Sequence, residues 1–221
     1  MDTEPDIPCG RVAAFVREHV HDLRNVLNNL DLETGLLQEL VSEGEAQASA
    51  NRVRQQVRTL ADRLRSLSES FRDAVPMTAP IAARELLLIW REQHATLPQA
   101  PEVQWADELG NEHVDVDVEM MVTIFREILS NAAAFSQGSP VAITMRCEGK
   151  SVTLEVREPK TTPLDPAGWG QPFSRIRQGH YGLGFWSARR LAQTQGGTLQ
   201  QCYVPEERQL VTRLSLPVAS G

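Results

Sequence analysis

The chain has 221 residues, a formal net charge of −7 and three cysteines. That length makes one large domain or two small ones with ample material for a core. The acidic balance argues against a nucleic-acid partner, and the three scattered thiols, Cys9, Cys147 and Cys202, suggest no metal pair and read as reduced, cytoplasmic cysteines.

The acidic start, Met1-Asp2-Thr3-Glu4-Pro5-Asp6, has no secretory pattern. No apolar run approaches the ~20 residues that span a bilayer. The expectation is a soluble chain without a membrane segment or a sensor segment of its own.

After a tail over 1–10, Val16, Val20, Leu23, Leu27, Leu30, Thr34, Leu37 and Val41 recur at alternating steps of four and three, the seam of a coiled coil over about 11–42. His21 follows a seam position and is expected to face solvent, with Asp22 beside it and Asn25 one turn on, on the same face. A reactive imidazole presented from a helical bundle is an arrangement suited to carrying a phosphoryl group. His19 lies nearly opposite His21, which rules against a two-histidine metal site and places it as a partly buried residue flanking the seam.

A polar break at Ser42-Glu43-Gly44-Glu45 precedes a second seam of Val53, Val57, Leu60, Leu64, Leu67 and Phe71. Two matched seams joined by a short turn make an antiparallel hairpin over 11–74, and pairing two hairpins into a four-helix bundle predicts a homodimer. Arg52, Arg54, Arg58, Arg63 and Arg65 on the second helix complement Asp31, Glu33, Glu39 and Glu43 on the first as solvated charged faces.

Residues 75–82 read as a linker, and 83–221 as a second domain. In it, 82–93 looks helical, 102–105 extended and 113–116 a short strand; Asp117 is placed to cap a helix running to about Phe135. Residues 141–147 and 151–156 alternate as a hairpin across Glu148-Gly149-Lys150. A stretch of more than twenty residues rich in proline and glycine follows, and a loop that long inside a compact domain is a functional lid or is disordered. A helix over 183–195 and strands over 198–204 and 210–216 complete an α/β sandwich, so the fold class is α+β.

Glu127 and Asn131 lie four apart on the middle helix, and a carboxylate beside an amide suits a hydrated Mg²⁺ that touches phosphates. Tyr181-Gly182-Leu183-Gly184-Phe185 opens the next helix, where glycines let backbone N–H groups approach an anion. Gly196-Gly197 reads as the cap closing that helix. Taken singly, the first pair is also an ordinary surface pair and the second an ordinary turn.

In order and spacing these segments resemble the two-component histidine kinases. His21-Asp22-Leu23-Arg24-Asn25 is similar to their phosphoacceptor box and Arg126-Glu127-Ile128-Leu129-Ser130-Asn131-Ala132 to their asparagine box. Pro172-Phe173 and Gly182-Leu183-Gly184-Phe185 are similar to their phenylalanine and second glycine boxes. The resemblance covers residues 11 to 217. It implies a dimerising hairpin followed by an ATP-binding sandwich of the histidine-kinase/gyrase (Bergerat) type. His21 would then be the nucleophile and phosphoryl carrier, Asp22 would orient its ring, and Asn25 would position water. Glu127 and Asn131 would serve Mg²⁺, Asn131 as its ligand, while Gly182, Leu183 and Gly184 would cradle the triphosphate of ATP. The implied partner is a response-regulator receiver domain, with an upstream kinase or sensor as a second.

Two positions depart from the family. Val26 replaces the proline that follows the acceptor box. The family's Asp-x-Gly, whose carboxylate accepts from the adenine amino group, reads Glu158-Pro159-Lys160 here. Glu158 stands in for the aspartate but is one methylene longer, Pro159 stiffens the backbone, and Lys160 replaces the glycine. A site built to bond an amino group loses discrimination when its acceptor is misplaced. Three readings therefore stay open: a phosphorelay carrier exchanging phosphate on His21 with a receiver aspartate, a soluble kinase charging His21 from MgATP, and a non-catalytic dimeric adaptor.

Overall fold

The structure, a computed structural model, describes residues 9–40, 44–71, 74–97, 100–135, 139–161 and 182–219. The chain forms two compact units, Met1–Asp73 and Ala74–Gly221.

The first unit is a helical hairpin, α1 (Cys9–Leu40) and α2 (Glu45–Ser70). Gly44, just ahead of α2, takes φ +96°, a conformation that side chains other than glycine rarely adopt. The helices run antiparallel. Asn51 bonds Gln38, Arg54 reaches both Gln38 and Asp31, and Arg58 reaches Asp31, so partners descend α1 as α2 ascends. Asp31 thus holds two arginines, at 3.1 and 3.2 Å, and realises the expected complementary charge at that position.

The seams are divided between two environments. Val20, Leu27 and Thr34 are buried on α1, as are Val57 and Phe71 on or beside α2. Thr34 satisfies its hydroxyl by donating to the Leu30 carbonyl at 2.7 Å. The intervening seam residues Leu23, Leu30 and Leu37, spaced by seven, remain 49, 45 and 51% exposed, and Val53 and Leu60 on α2 remain 43 and 46% exposed. α1 continues unbroken through Val26. His19, expected to be partly buried, is exposed. It lies on the side of α1 that carries Leu23 and Leu30, which α2 does not cover.

The second unit comprises β1 (Ala79–Ala82), α3 (Ala83–Thr96), β2 (Val103–Glu108), β3 (His113–Val116), α4 (Val118–Phe135), β4 (Val141–Glu148), β5 (Ser151–Pro159), α5 (Gly184–Gln193), β6 (Thr198–Val204) and β7 (Gln209–Pro217). The main sheet has the order β2-β4-β5-β7-β6, with β2 and β4 parallel and the other neighbours antiparallel. β1 takes up the last four residues of the stretch expected as a linker and pairs with β3 in a separate two-stranded ribbon.

Helices cover one face of the sheet. Val152, Leu154 and Val156 of β5 and Ile143 and Met145 of β4 point to that face, meeting Leu86 and Trp90 of α3, Met121, Phe125 and Leu129 of α4, and Ala188 and Ala192 of α5. Trp90 stacks on Phe125 with ring centroids 5.2 Å apart, which locks α3 against α4. Asp117 caps α4 as expected: its Oδ1 accepts from the Met120 N–H at 3.1 Å, while its Oδ2 accepts from the Met77 N–H at 2.9 Å. The other face of β5 carries Glu155, buried beneath arginines. Arg157 and Arg213 each donate to it at 2.6 Å, and Arg146 approaches to 3.4 Å. Burial alone would raise the Glu155 carboxyl, but the hydrogen bonds and charges of Arg157 and Arg213 outweigh it and hold the group below its ordinary range.

Candidate functional site

The acceptor box lies on α1. The side chains of His21 and Asp22 fall outside the described residues, whereas Asn25 is exposed and Arg24 half-buried beside it.

In the second unit, α4 presents Glu127 and Asn131 one turn apart because a 3.6-residue repeat stacks positions i and i+4. Their neighbours Ile124, Ile128 and Leu129 anchor the opposite face in the core, so the polar pair sits at its margin, half-buried. Asn131 Nδ2 donates to Glu127 Oε1 at 2.7 Å. With the nitrogen engaged, the amide oxygen is the atom left for a hydrated cation.

The start of α5 comes directly against this pair. A Cβ built on Gly184 would overlap the Glu127 carboxylate, with Oε2 at 2.7 Å. The Glu127 carboxylate would have to swing aside for any larger residue there, and the juxtaposition brings the two boxes into one site. Gly182 has φ +67°, so the turn into the helix also requires glycine. Leu183 begins α5 without a side-chain cap, and it is buried. The helix start and its dipole thus lie beside a carboxylate and an amide. Gly184→Ala is expected to push the Glu127 carboxylate aside and to lower stability by about 1 kcal/mol, the worth of its hydrogen bond from Asn131, read from the urea midpoint.

The far end of α5 is closed as expected. Gly196 takes φ +72°, and the Gly197 N–H donates to the Ala192 carbonyl at 2.9 Å. Pro172, Phe173 and Tyr181 lie outside the described residues, as does the proline- and glycine-rich part of the expected loop.

Glu158 is the residue where structure adds most. β5 extends to Pro159, beyond the expected end near Val156, and pairs with β7 along its length. Strand alternation then puts Glu158 on the helix-facing side with Val152, Leu154 and Val156. Glu158 is 2% exposed and Lys160 7%, and Lys160 Nζ donates to Glu158 Oε2 at 2.8 Å. Burial raises the Glu158 carboxyl above its ordinary range, an effect partly offset by the hydrogen bond and charge of Lys160. The signal was present in the sequence as opposite charges two apart, which share one face of an extended chain.

ATP would thus meet two different half-sites. Glu127, Asn131 and the start of α5 at Gly184 fit a magnesium-bound polyphosphate. Glu158 would offer the base a buried carboxylate of which one oxygen, Oε2, already accepts from Lys160.

Residues 116–220, just under half the chain, match the family of histidine kinase-, DNA gyrase B- and HSP90-like ATPases. No curated protein sequence matches the chain. Among solved structures the chain is similar to full-length ShkA in complex with AMPPNP, at 19% identity and TM-score 0.70 over 94% of this chain. It spans about half, 46%, of the ShkA chain. It is also similar to the Acinetobacter baumannii histidine kinase AdeS, at 13% identity and TM-score 0.51, covering 91% of this chain and 98% of that one. The mycobacterial sensor histidine kinase MprB is similar over 66% of this chain and 100% of its own, at 16% identity and TM-score 0.50. At such identities the structural likeness speaks for the fold. The chain shares the fold of these structures, an N-terminal helical hairpin followed by an α/β sandwich, and most of that sandwich matches the family model of histidine kinase-, DNA gyrase B- and HSP90-like ATPases.

Proposed function

We propose that this protein is a dimeric phosphorelay carrier of two-component signalling, in which His21 exchanges a phosphoryl group with the aspartate of a response-regulator receiver domain. One contrast carries the reading. The acceptor box His21-Asp22-Leu23-Arg24-Asn25 keeps every residue the chemistry needs, whereas the base acceptor Glu158 is tied to Lys160.

In the forward step the neutral imidazole of His21 attacks the phosphorus of the aspartyl phosphate. A P–N bond forms, the P–O bond breaks, and the aspartate leaves as a carboxylate. Asp22 orients the ring and takes the proton of its other nitrogen in a hydrogen bond. Asn25, exposed one turn along α1, would hold water against the receiver's acyl phosphate in a separate, hydrolytic outcome. When bound, MgATP would supply a phosphoryl donor at Glu127 and Asn131, and the carrier reading needs no such supply.

The homodimer is part of this proposal. Leu23, Leu30 and Leu37 on α1, with Val53 and Leu60 on α2, form the half of the seam left open by a single hairpin. A second copy covers it and completes a four-helix bundle.

The second reading, a kinase charging His21 from MgATP, is favoured by the fit of the Glu127–Asn131–Gly184 half-site and by the AMPPNP held by ShkA. Parallel incubations separate the readings. The carrier predicts phosphohistidine from a phosphorylated receiver without nucleotide. The kinase predicts label from γ-labelled ATP alone, lost in Asn131→Ala. If neither reaction occurs and a receiver still binds, the adaptor reading stands instead.

A further inference from the structure

The hairpin carries its charges on two flanks, and a single copy pairs only one of them. On the paired flank, Asp31 of α1 bonds Arg58, level with it on α2, and Arg54, one turn before Arg58. The helices are antiparallel, so moving from Asp31 to Glu33 on α1 moves the level from Arg58 to Gln56 on α2. Arg52 lies one turn before Gln56, as Arg54 lies before Arg58. Glu33 itself sits about 200° round the helix from Asp31, on the other side of α1. It stands between Leu30 and Leu37 at three-four spacing, and Gln56 stands between Val53 and Leu60 in the same way, so both border the open seam. Glu33 and Arg52 are exposed, and among the described residues neither has an ion-pair partner in its own chain.

We propose that Glu33 of one copy pairs with Arg52 of the second copy, twice in each homodimer, and that these pairs select a second copy of this chain as the partner. The proposal rests on the homodimer reading above. A two-fold axis along the bundle sets α1 of one copy antiparallel to α2 of the other at equal height, the arrangement the two helices already have within one hairpin. Glu33 then meets Gln56 and Arg52 of the second copy with the offsets by which Asp31 meets Arg58 and Arg54 at home. Shape agrees with charge. A groove on α2 lined by Gln56, Thr59, Leu60 and Arg63 lies level with Leu30 of the second copy, a hole facing a knob. Leucine seams alone accept many partners, whereas opposite charges at the rim favour the right one and like charges penalise the wrong one.

The test uses the full chain and sedimentation across a concentration series. Glu33→Arg sets arginine against Arg52 at both contacts, and Arg52→Glu sets a carboxylate against Glu33 at both. Each variant alone is expected to raise the dimer Kd by at least about tenfold while keeping its helicity, since both positions are exposed. An equimolar mixture of the two variants brings opposite charges together at both contacts. It should form a heterodimer with a Kd within about threefold of the wild type, a recovery that also shows both variants fold. The double variant, Glu33→Arg with Arg52→Glu, should pair with itself equally well and pair poorly with the wild type.

Recovery in the double variant without recovery in the mixture would mean that the two residues pair within one hairpin, and it overturns the proposal. So does a dimer that either single change leaves unaltered. In both cases a dimeric wild type keeps the homodimer reading, whereas a wild type that is monomeric at every concentration removes the reading and the proposal together. Phosphate transfer to His21, measured in the wild type and His21→Ala, is judged apart from all of these.

Discussion

Replacing Lys160 by methionine is expected to lower the stability of the second unit by about 3 kcal/mol at neutral pH, the lower end for removing one partner of a buried ion pair. The loss should shrink as the solution is acidified. Glu158 has a folded-state carboxyl raised above its ordinary value of 4.5 by burial, and Lys160 restrains that rise. Without the lysine the carboxyl rises further. A raised carboxyl favours the folded state below the ordinary value, and that favour is lost as pH climbs through the folded value. Urea melts at pH 8 and pH 5 check this. Equal losses at both, or no loss at either, would show that Lys160 does not neutralise Glu158. Glu155 works in the opposite sense. Held low by Arg157 and Arg213, it contributes stability above its ordinary value that disappears as pH falls through its depressed one.

The second large effect is expected on the hairpin. Leu30→Glu should convert a dimer into a monomer that retains its helicity. Burying a leucine is worth about 1.5–3 kcal/mol, and two-fold symmetry counts the change twice. A rise in the dimer Kd of at least about 100-fold follows, read by sedimentation across a concentration series. Leu32, 68% exposed and off the seam, provides the comparison: Leu32→Glu should leave the dimer intact. A wild-type chain that sediments as a monomer at all concentrations would remove the four-helix bundle from the account.

The hairpin and α4 were readable from the sequence because their signals are local. Four-three spacing of Val20 to Leu37 defines α1, and Asp117 announces the start of α4 through a hydrogen bond only three residues long. Gly149, at φ +62°, marks the turn between β4 and β5 for the same reason. Pairings across long stretches of chain were less legible. β1 finds β3 through a register that no local pattern encodes, and the lysine that seals Glu158 depends on β5 continuing to Pro159 alongside β7. Proline at position 159 reads as a strand breaker, yet at the end of a strand its missing N–H costs little. His19 was misplaced because periodicity defines a face, while exposure depends on what covers that face.

The nucleotide boxes show the same division. Spacing put Glu127 and Asn131 on one face, and the structure adds their bond and the contact of Gly184 with Glu127. The substitution of the adenine box was visible as a chemical change. Its consequence, a buried ion pair between Glu158 and Lys160, needed the burial of both side chains to be seen.

The central claim is that His21 carries phosphate without help from ATP. A receiver domain charged on its aspartate by a small phosphodonor and then freed of it should be mixed with the chain in nucleotide-free buffer. The account predicts that an acid-labile, base-stable phosphate appears on the wild-type chain, maps to the peptide containing His21, and is absent from His21→Ala. A panel of charged receivers that bind the chain yet leave His21 unphosphorylated, while ATP alone labels it, would contradict the account.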